Sequence, residues 1–219
     1  MISLILVDAE IERVPMRCSE GASLPRVCDV EDTELHGIIV LDSHIHKHVL
    51  EGLEQAERRG RPDIVHSFLL LAQGSRACAE GKLRSYIHTR GDEVVLVGSG
   101  YRPEQSYVDF LRSFGELLEN GTMGESKTGL QLEREMNLRA LVRRLRADKV
   151  IALAPSGQQR DLREVLRGAE DHHLVVIIGG FPEGDFRSPV YEIADEAISL
   201  GKELLTVPDV ASQVLLSIP

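Results

Sequence analysis

Apolar residues in this chain fall into short, nearly continuous runs separated by amphipathic stretches. Ile2-Ser3-Leu4-Ile5-Leu6-Val7, Gly37-Ile38-Ile39-Val40-Leu41, Val150-Ile151-Ala152-Leu153 and Leu174-Val175-Val176-Ile177-Ile178 are runs of strand length. Strands with few polar positions are covered on both faces, which is the pattern of a parallel sheet. Ala197-Ile198-Ser199-Leu200 reads as a further short strand. Leu83–Thr89 and the run from Glu93 to Val97 flank Arg90-Gly91-Asp92 and predict a hairpin. Helical periodicity fills the gaps. Asp42 and Ser43 offer capping oxygens for a helix to about residue 59, closed by Gly60, and a second helix covers 64 to about 71. Val108, Leu111, Phe114 and Leu118 line one face of a helix over 107–118. Residues 120–129 form a polar connector, 130–147 one long helix, and 161–167 and 210–216 two shorter helices. Strands alternating with helices predict an α/β fold, a mostly parallel sheet flanked by helices.

The run at 174–178 ends abruptly in Gly179-Gly180-Phe181-Pro182-Glu183-Gly184. A buried strand feeding a glycine-rich turn brings backbone to the carboxyl edge of the sheet, where open α/β sheets bind ligands. Glycine admits positive φ and close approach, and Pro182 stiffens one side. Strand punctuation and a binding loop both remain open on these residues alone.

The chain has 219 residues, of which 42% are hydrophobic, enough for one large domain with a sizeable core. No apolar run is long enough to span a bilayer, and the N-terminus meets Asp8 at once, so it reads as a first strand and not a signal peptide. Cys18, Cys28 and Cys78 are odd in number, with no CxxC pair, which fits a reducing cytoplasm. The net charge of −10 argues against non-specific nucleic-acid binding but leaves room for a local basic patch. Arg134, Arg139, Arg143, Arg144, Arg146 and Lys149 form one such stretch, equally readable as a solvated helix face. Tryptophan is absent and aromatics are 4%, so base stacking on an aromatic platform is disfavoured.

The phosphate-binding P-loop, G-x-G-x-x-G, H-E-x-x-H and G-x-S-x-G patterns are all missing. His44, His46 and His48 lack a companion acid or cysteine at ligand spacing, so they read as solvent-exposed histidines and no metal site is expected. Arg61-Pro62-Asp63 carries more information. Pro62 and Asp63 suit the first turn of a helix, but a cation is disfavoured there. An arginine held by Asp63 and aimed at an anion such as phosphate accounts for Arg61. Leu204-Leu205-Thr206-Val207-Pro208-Asp209 reads as a strand end meeting a helix start. Beside the 179–184 turn it would clamp a flat, uncharged ring such as adenine through backbone groups, between apolar walls.

Four segments carry a resemblance: Gly60-Arg61-Pro62-Asp63-Ile64-Val65-His66, Tyr86-Ile87-His88-Thr89, Ile177-Ile178-Gly179-Gly180-Phe181-Pro182-Glu183-Gly184, and Val207-Pro208. In this order they resemble the ribosome-biogenesis family of pseudouridine N1-specific rRNA methyltransferases, of the SPOUT or α/β-knot class. The resemblance covers most of the chain. It implies a single SPOUT-like domain over 1–219 with a C-terminal trefoil knot and an inserted or appended hairpin and helix segment around 83–120. It implies S-adenosyl-L-methionine (SAM) as methyl donor, bound by Gly179, Gly180, Gly184, Leu204, Leu205, Thr206, Val207, Pro208 and Asp209, with Ala154-Pro155-Ser156-Gly157 lining the same pocket. It further implies a homodimer acting on a small-subunit rRNA hairpin, with ribosome-assembly proteins as further partners. Arg61 matches an arginine that contacts RNA. Asp63 matches the acid beside it, which either steadies Arg61 or accepts a proton in catalysis. Arg102 matches a second RNA-contact position. Gln105 and Asp109 stand where many relatives carry arginine, and Ala72-Gln73-Gly74-Ser75-Arg76 departs from the usual Ser-Pro-x-Asn-Lys, so RNA contact is altered here. A ribosome-assembly RNA-binding factor with SAM as a structural ligand, and a SPOUT methyltransferase acting on another nucleotide, are the alternative functions.

Overall fold

The computed structural model describes residues 1–15 and 37–219, so Cys18 and Cys28 lie outside the described residues. The strands are β1 (Ile2–Ala9), β2 (Leu83–Thr89), β3 (Val94–Val97), β4 (Thr122–Met123), β5 (Leu130–Glu133), β6 (Lys149–Gln159), β7 (Leu174–Gly179) and β8 (Glu196–Ser199). They form one sheet in the order β4-β5-β3-β2-β1-β7-β6-β8. β2, β1, β7, β6 and β8 run parallel, and β3, β5 and β4 extend the β2 edge antiparallel. The expected hairpin forms between β2 and β3, with Tyr86 opposite Leu96 and His88 opposite Val94.

Every residue of β1 is buried. Its side chains alternate between two cores because successive residues point to opposite faces. Ile2, Leu4 and Leu6 join the larger core, while Ile5 and Val7 join the smaller. The larger core holds α2 (Pro62–Gly74) and α4 (Tyr107–Asn120) through Phe68, Leu69, Phe110 and Phe114, together with α8 (Val207–Ser217) through Ala211 and Val214. The smaller core holds α5 (Leu138–Leu145) and α7 (Val190–Ile193) through Leu138, Leu141 and Val190. Short helices α1 (Lys47–Leu50), α3 (Arg76–Ala79) and α6 (Leu162–Leu166), with a 3-10 turn over Arg167–Glu170, complete the described set. No helix among the described residues is long and apolar enough to cross a membrane.

Five sequence expectations are corrected. The run 37–41 is not a strand of the sheet, since only Val40 bridges, to Arg13. The helix over 42–59 shrinks to α1. Asp42 Oδ1 accepts from the His44 and Ile45 N–H groups and turns the chain locally, and Gln55 at φ +55° interrupts it again. The long helix over 130–147 is β5 followed by α5. Leu130 and Leu132 point inward while Gln131 is exposed, a period of two, and Asn137 caps α5 by accepting from the Ala140 N–H. The strand expected over 150–153 extends through residues 154–157 to Gln159 as β6. Leu204, Leu205 and Thr206 belong to no strand, because β8 ends at Ser199. The register of β6 is unusual: Leu153 and Gln158 both pair with Ile198, across an irregularity in an otherwise parallel pairing with β8.

Candidate functional site

A cleft of about 560 Å³ opens at the carboxyl ends of β6, β7 and β8, closed by the first turns of α2 and α8. Leu153, Ala154 and Pro155 from β6, Ile178 and Gly179 from β7, and Ser199 from β8 form its floor. Phe181, Pro182, Gly184 and Phe186 form one wall, and Leu205, Val207 and Pro208 the other. The segment from Leu200 to Thr206 runs along the cleft outside any helix or strand, so its main-chain groups are not tied into a ladder. The two segments singled out in the sequence therefore meet across one cavity. Apolar walls with backbone donors and acceptors on one side suit a flat, uncharged heterocycle.

Two glycines shape the turn differently. Gly184 sits at φ +84°, a conformation that a side chain would strain, and lines the cleft. Gly180 faces away from it. A Cβ there would lie 2.7 Å from Ala9 Cα, and its backbone N–H and C=O bond to Val7 O and the Glu10 N–H at 2.7 and 3.1 Å. Gly180 fastens the turn to β1. Asp209 is likewise outside the lining: it completes a capping box with Thr206 and so fixes the start of α8. Phe181, Phe186 and Tyr191 stack edge-to-face, and the Tyr191 hydroxyl donates to Asp185 Oδ1 at 2.8 Å, holding the turn's outer side.

Arg61 and Asp63 stand at the mouth of the cleft where α2 begins. Arg61 Nε and Nη2 donate to Asp63 Oδ1 and Oδ2 at 2.8 and 2.7 Å, a two-pronged pair that fixes the guanidinium plane. The bond to Asp63 holds the Arg61 guanidinium still further above its ordinary value. The Arg61 backbone N–H donates to Glu10 O at 2.9 Å.

Arg102, Gln105 and Asp109 do not line the cleft. All three are exposed where α4 begins: Arg102 Nη1 donates to Tyr101 O at 3.0 Å, Gln105 Nε2 to Pro103 O at 3.4 Å, and Arg112 Nη1 to Asp109 Oδ1 at 3.4 Å. The start of α4 is tied to the Arg61 region by residues that sequence reading passed over. The Tyr107 hydroxyl donates to Asp42 Oδ2, and burial together with that carboxylate pushes the phenol far above its ordinary pKa. The His66 ring stacks on Phe110 at 4.6 Å, and its Nε2 is bonded to Glu104 O. Asp42 was read only as a helix cap. Buried Glu10 and Arg58, which brace the 179–184 turn, were also missed; the available signal was the dense run Arg58-Arg59-Gly60-Arg61.

The exposed histidine cluster is corrected in part. His44 and His48 are exposed, but His46 is buried and its Nδ1 accepts from the Asp42 N–H at 3.1 Å. Burial lowers the pKa of both His46 and His88 below the ordinary 6.5. The unfolded chain therefore takes up these protons first as pH falls. Their contribution to stability is full above 6.5 and is lost below it, by at most about 1.4 kcal/mol per pH unit for each group. The melting temperature is accordingly lower at pH 5.5 than at pH 7.5, and His46→Gln with His88→Gln flattens the difference. An unchanged difference in the double variant would assign the acid sensitivity to other groups.

A ligand cleft at the carboxyl edge of a parallel sheet, with a paired arginine at its mouth, defines a ligand-binding α/β protein. The chain belongs to the EMG1/NEP1 methyltransferase family, which it matches over residues 4–218. It is 35% identical to the ribosomal RNA small subunit methyltransferase Nep1 of Methanothrix thermoacetophila over 217 residues, covering 99% of this chain and 95% of that protein. It is also 35% identical to Nep1 of Pyrococcus furiosus over 219 residues, covering 99% and 95%. The fold is similar to the crystal structure of Archaeoglobus fulgidus Nep1 bound to S-adenosylhomocysteine, with a TM-score of 0.77 and 26% identity, over 98% of this chain and 95% of that one.

Proposed function

We propose that this protein transfers a methyl group from SAM to N1 of a pseudouridine in a small-subunit rRNA hairpin, acting as a homodimer in the cytoplasm. The observation that carries the reading is the cleft itself, with the 179–184 turn and the 204–208 segment on facing walls and the Arg61–Asp63 pair at its mouth. Family membership and the relatives named as rRNA small subunit methyltransferases support it, as does the neighbour solved with S-adenosylhomocysteine. The chain is read as one SPOUT-like domain with a C-terminal trefoil knot and with 83–120 as its extension, a reading that rests on family membership.

The lining fits the donor. Apolar side chains of Leu153, Ile178, Leu205 and Val207 suit the faces of adenine, and irregular backbone from Leu200 to Thr206 suits its edge. SAM supplies a methyl group already activated by its sulfonium, so alignment is the main task left to the protein. Pseudouridine is joined to ribose through carbon, which leaves N1 bearing hydrogen and open to reaction. The target base must leave its stack to reach the cleft. Arg61 holds a backbone phosphate beside the mouth. Asp63 steadies Arg61 with both oxygens, and each oxygen keeps a further lone pair with which to take the N1 proton, directly or through water.

Calorimetry with S-adenosylhomocysteine tests the donor assignment: micromolar binding at one site per chain is expected, and no heat at 1 mM ligand would contradict it. Arg102 and the positions of Gln105 and Asp109 extend the RNA strip along α4. With two cations missing from that strip, the dependence of RNA affinity on salt is shallow. Gln105→Arg with Asp109→Arg steepens the slope of log K against log[KCl] by about 1–2 and tightens binding at low salt. An unaltered slope would remove α4 from the RNA interface.

A further inference from the structure

Arg58 and Glu10 lie beneath the cleft without lining it, and neither is explained by the reading above. Their side chains retain 9% and none of their accessibility. Glu10 connects the two halves of the site. Its backbone N–H donates to Gly180 O in the turn at 3.1 Å, and its C=O accepts from the Arg61 N–H at 2.9 Å. Its carboxylate accepts from Arg90 Nη1 at 2.6 Å and faces Arg58 Nε at 3.4 Å. Arg58 then reaches the turn from below. Its guanidinium carbon lies 4.3 Å from the centroid of the Phe181 ring, and Nη1 donates to Asp185 O at 2.9 Å. A side chain on Gly184 would begin 3.1 Å from that same Nη1. A cation over an aromatic face, with one hydrogen bond to the far end of the turn, holds the turn at two points.

This arrangement is a poor device for stability. Arg58 Nε and Glu10 Oε1 face each other at 3.4 Å without forming a hydrogen bond, and Arg58 Nη2 is buried with no hydrogen bond to another protein group. Burying polar groups in that state is unfavourable, and an apolar side chain of similar volume fills the same space without that penalty. Arg90 alone would still neutralise Glu10.

We propose that Arg58 is a positioning residue for methyl-donor binding: buried against Glu10, it holds the Phe181–Asp185 turn in the shape that closes over the donor. The inference rests on the donor reading of the cleft. Arg58 does not line the cleft, so it acts through the turn and its effect falls on donor affinity.

The test uses the full chain with Arg58→Met, which keeps apolar volume, and Arg58→Lys, which keeps the charge against Glu10 but loses the planar stack and safeguards folding. The expected result is an S-adenosylhomocysteine Kd raised about tenfold in Arg58→Met, with a smaller rise in Arg58→Lys. The KM for SAM rises in parallel, while kcat at saturating SAM and the Kd for an RNA hairpin stay within about twofold of wild type. The melting temperature of Arg58→Met falls, because Glu10 keeps Arg90 but loses one of its two cations, while that of Arg58→Lys falls less. Donor affinity within twofold of wild type in both variants would overturn the assignment. So would donor and RNA affinity falling together, which marks a merely structural role. Wild-type protein that binds no S-adenosylhomocysteine would overturn the donor reading itself, and this inference with it.

Discussion

Replacing Arg61 with alanine raises the Kd for an rRNA hairpin about 10- to 100-fold, from the loss of about 1–3 kcal/mol of phosphate contact. Donor affinity stays near the wild-type value, because Arg61 reaches only the mouth of the cleft. The two-pronged pairing with Asp63 makes the guanidinium plane part of the effect. Arg61→Lys therefore restores charge without restoring most of the affinity. Asp63→Asn separates the two roles open to that carboxylate. If Asp63 only steadies Arg61, the variant loses RNA affinity and keeps kcat at saturating RNA. If it also takes the N1 proton, kcat falls as well, by about 10²–10⁴-fold. Filter binding at several salt concentrations, with single-turnover rates alongside, reads both. Unchanged RNA affinity in Arg61→Ala would remove the arginine from the substrate contact.

Gly184→Val abolishes most donor binding. Valine at φ +84° is disfavoured by at least about 1–2 kcal/mol, and its Cβ would press on Arg58 Nη1 at 3.1 Å. Relief requires the turn to open away from the cleft it lines. The expected outcome is an S-adenosylhomocysteine Kd raised at least about tenfold, with methyl transfer reduced to match at subsaturating SAM. The hairpin still binds, since the mouth of the cleft and the start of α4 are untouched. Calorimetry checks the donor and filter binding the RNA. A variant with wild-type donor affinity would mean that the turn is strand punctuation and not part of the site.

The fold was legible where burial alone decides the element. β1, β7 and the first half of β6 are apolar on both faces, so composition was enough to mark them and their parallel pairing. It was illegible where local hydrogen bonding or short period decides. Leu130 and Leu132 fit both a strand and a helix, and pairing with β3 and β4 selects the strand. Asp42 looked like a helix cap, but its carboxylate is shared between a local turn and Tyr107, 65 residues away in sequence. The site divides in the same way. The turn at 179–184 and the 204–208 segment announce themselves through glycine and proline, and Arg61–Asp63 through a cation at the wrong helix end. Gly180 was grouped with its neighbours because sequence does not say which glycine faces the ligand and which faces β1. Glu10 carries no local signature, and the dense run Arg58-Arg59-Gly60-Arg61 does not say which arginine is buried. A buried ion pair between residues 48 positions apart is visible only once the turn above it has a place.

The central claim is methyl transfer to N1 of pseudouridine. Its most direct test is transfer of labelled methyl from SAM to two RNA hairpins identical except for one loop position, pseudouridine in one and uridine in the other. The account predicts label on the pseudouridine hairpin alone, because uridine N1 is bonded to ribose and has no hydrogen to lose. Equal label on both hairpins would contradict it and point to another nucleotide or another atom. Label on neither, with S-adenosylhomocysteine binding intact, would contradict it in favour of an RNA-binding assembly factor that holds the donor as a structural ligand.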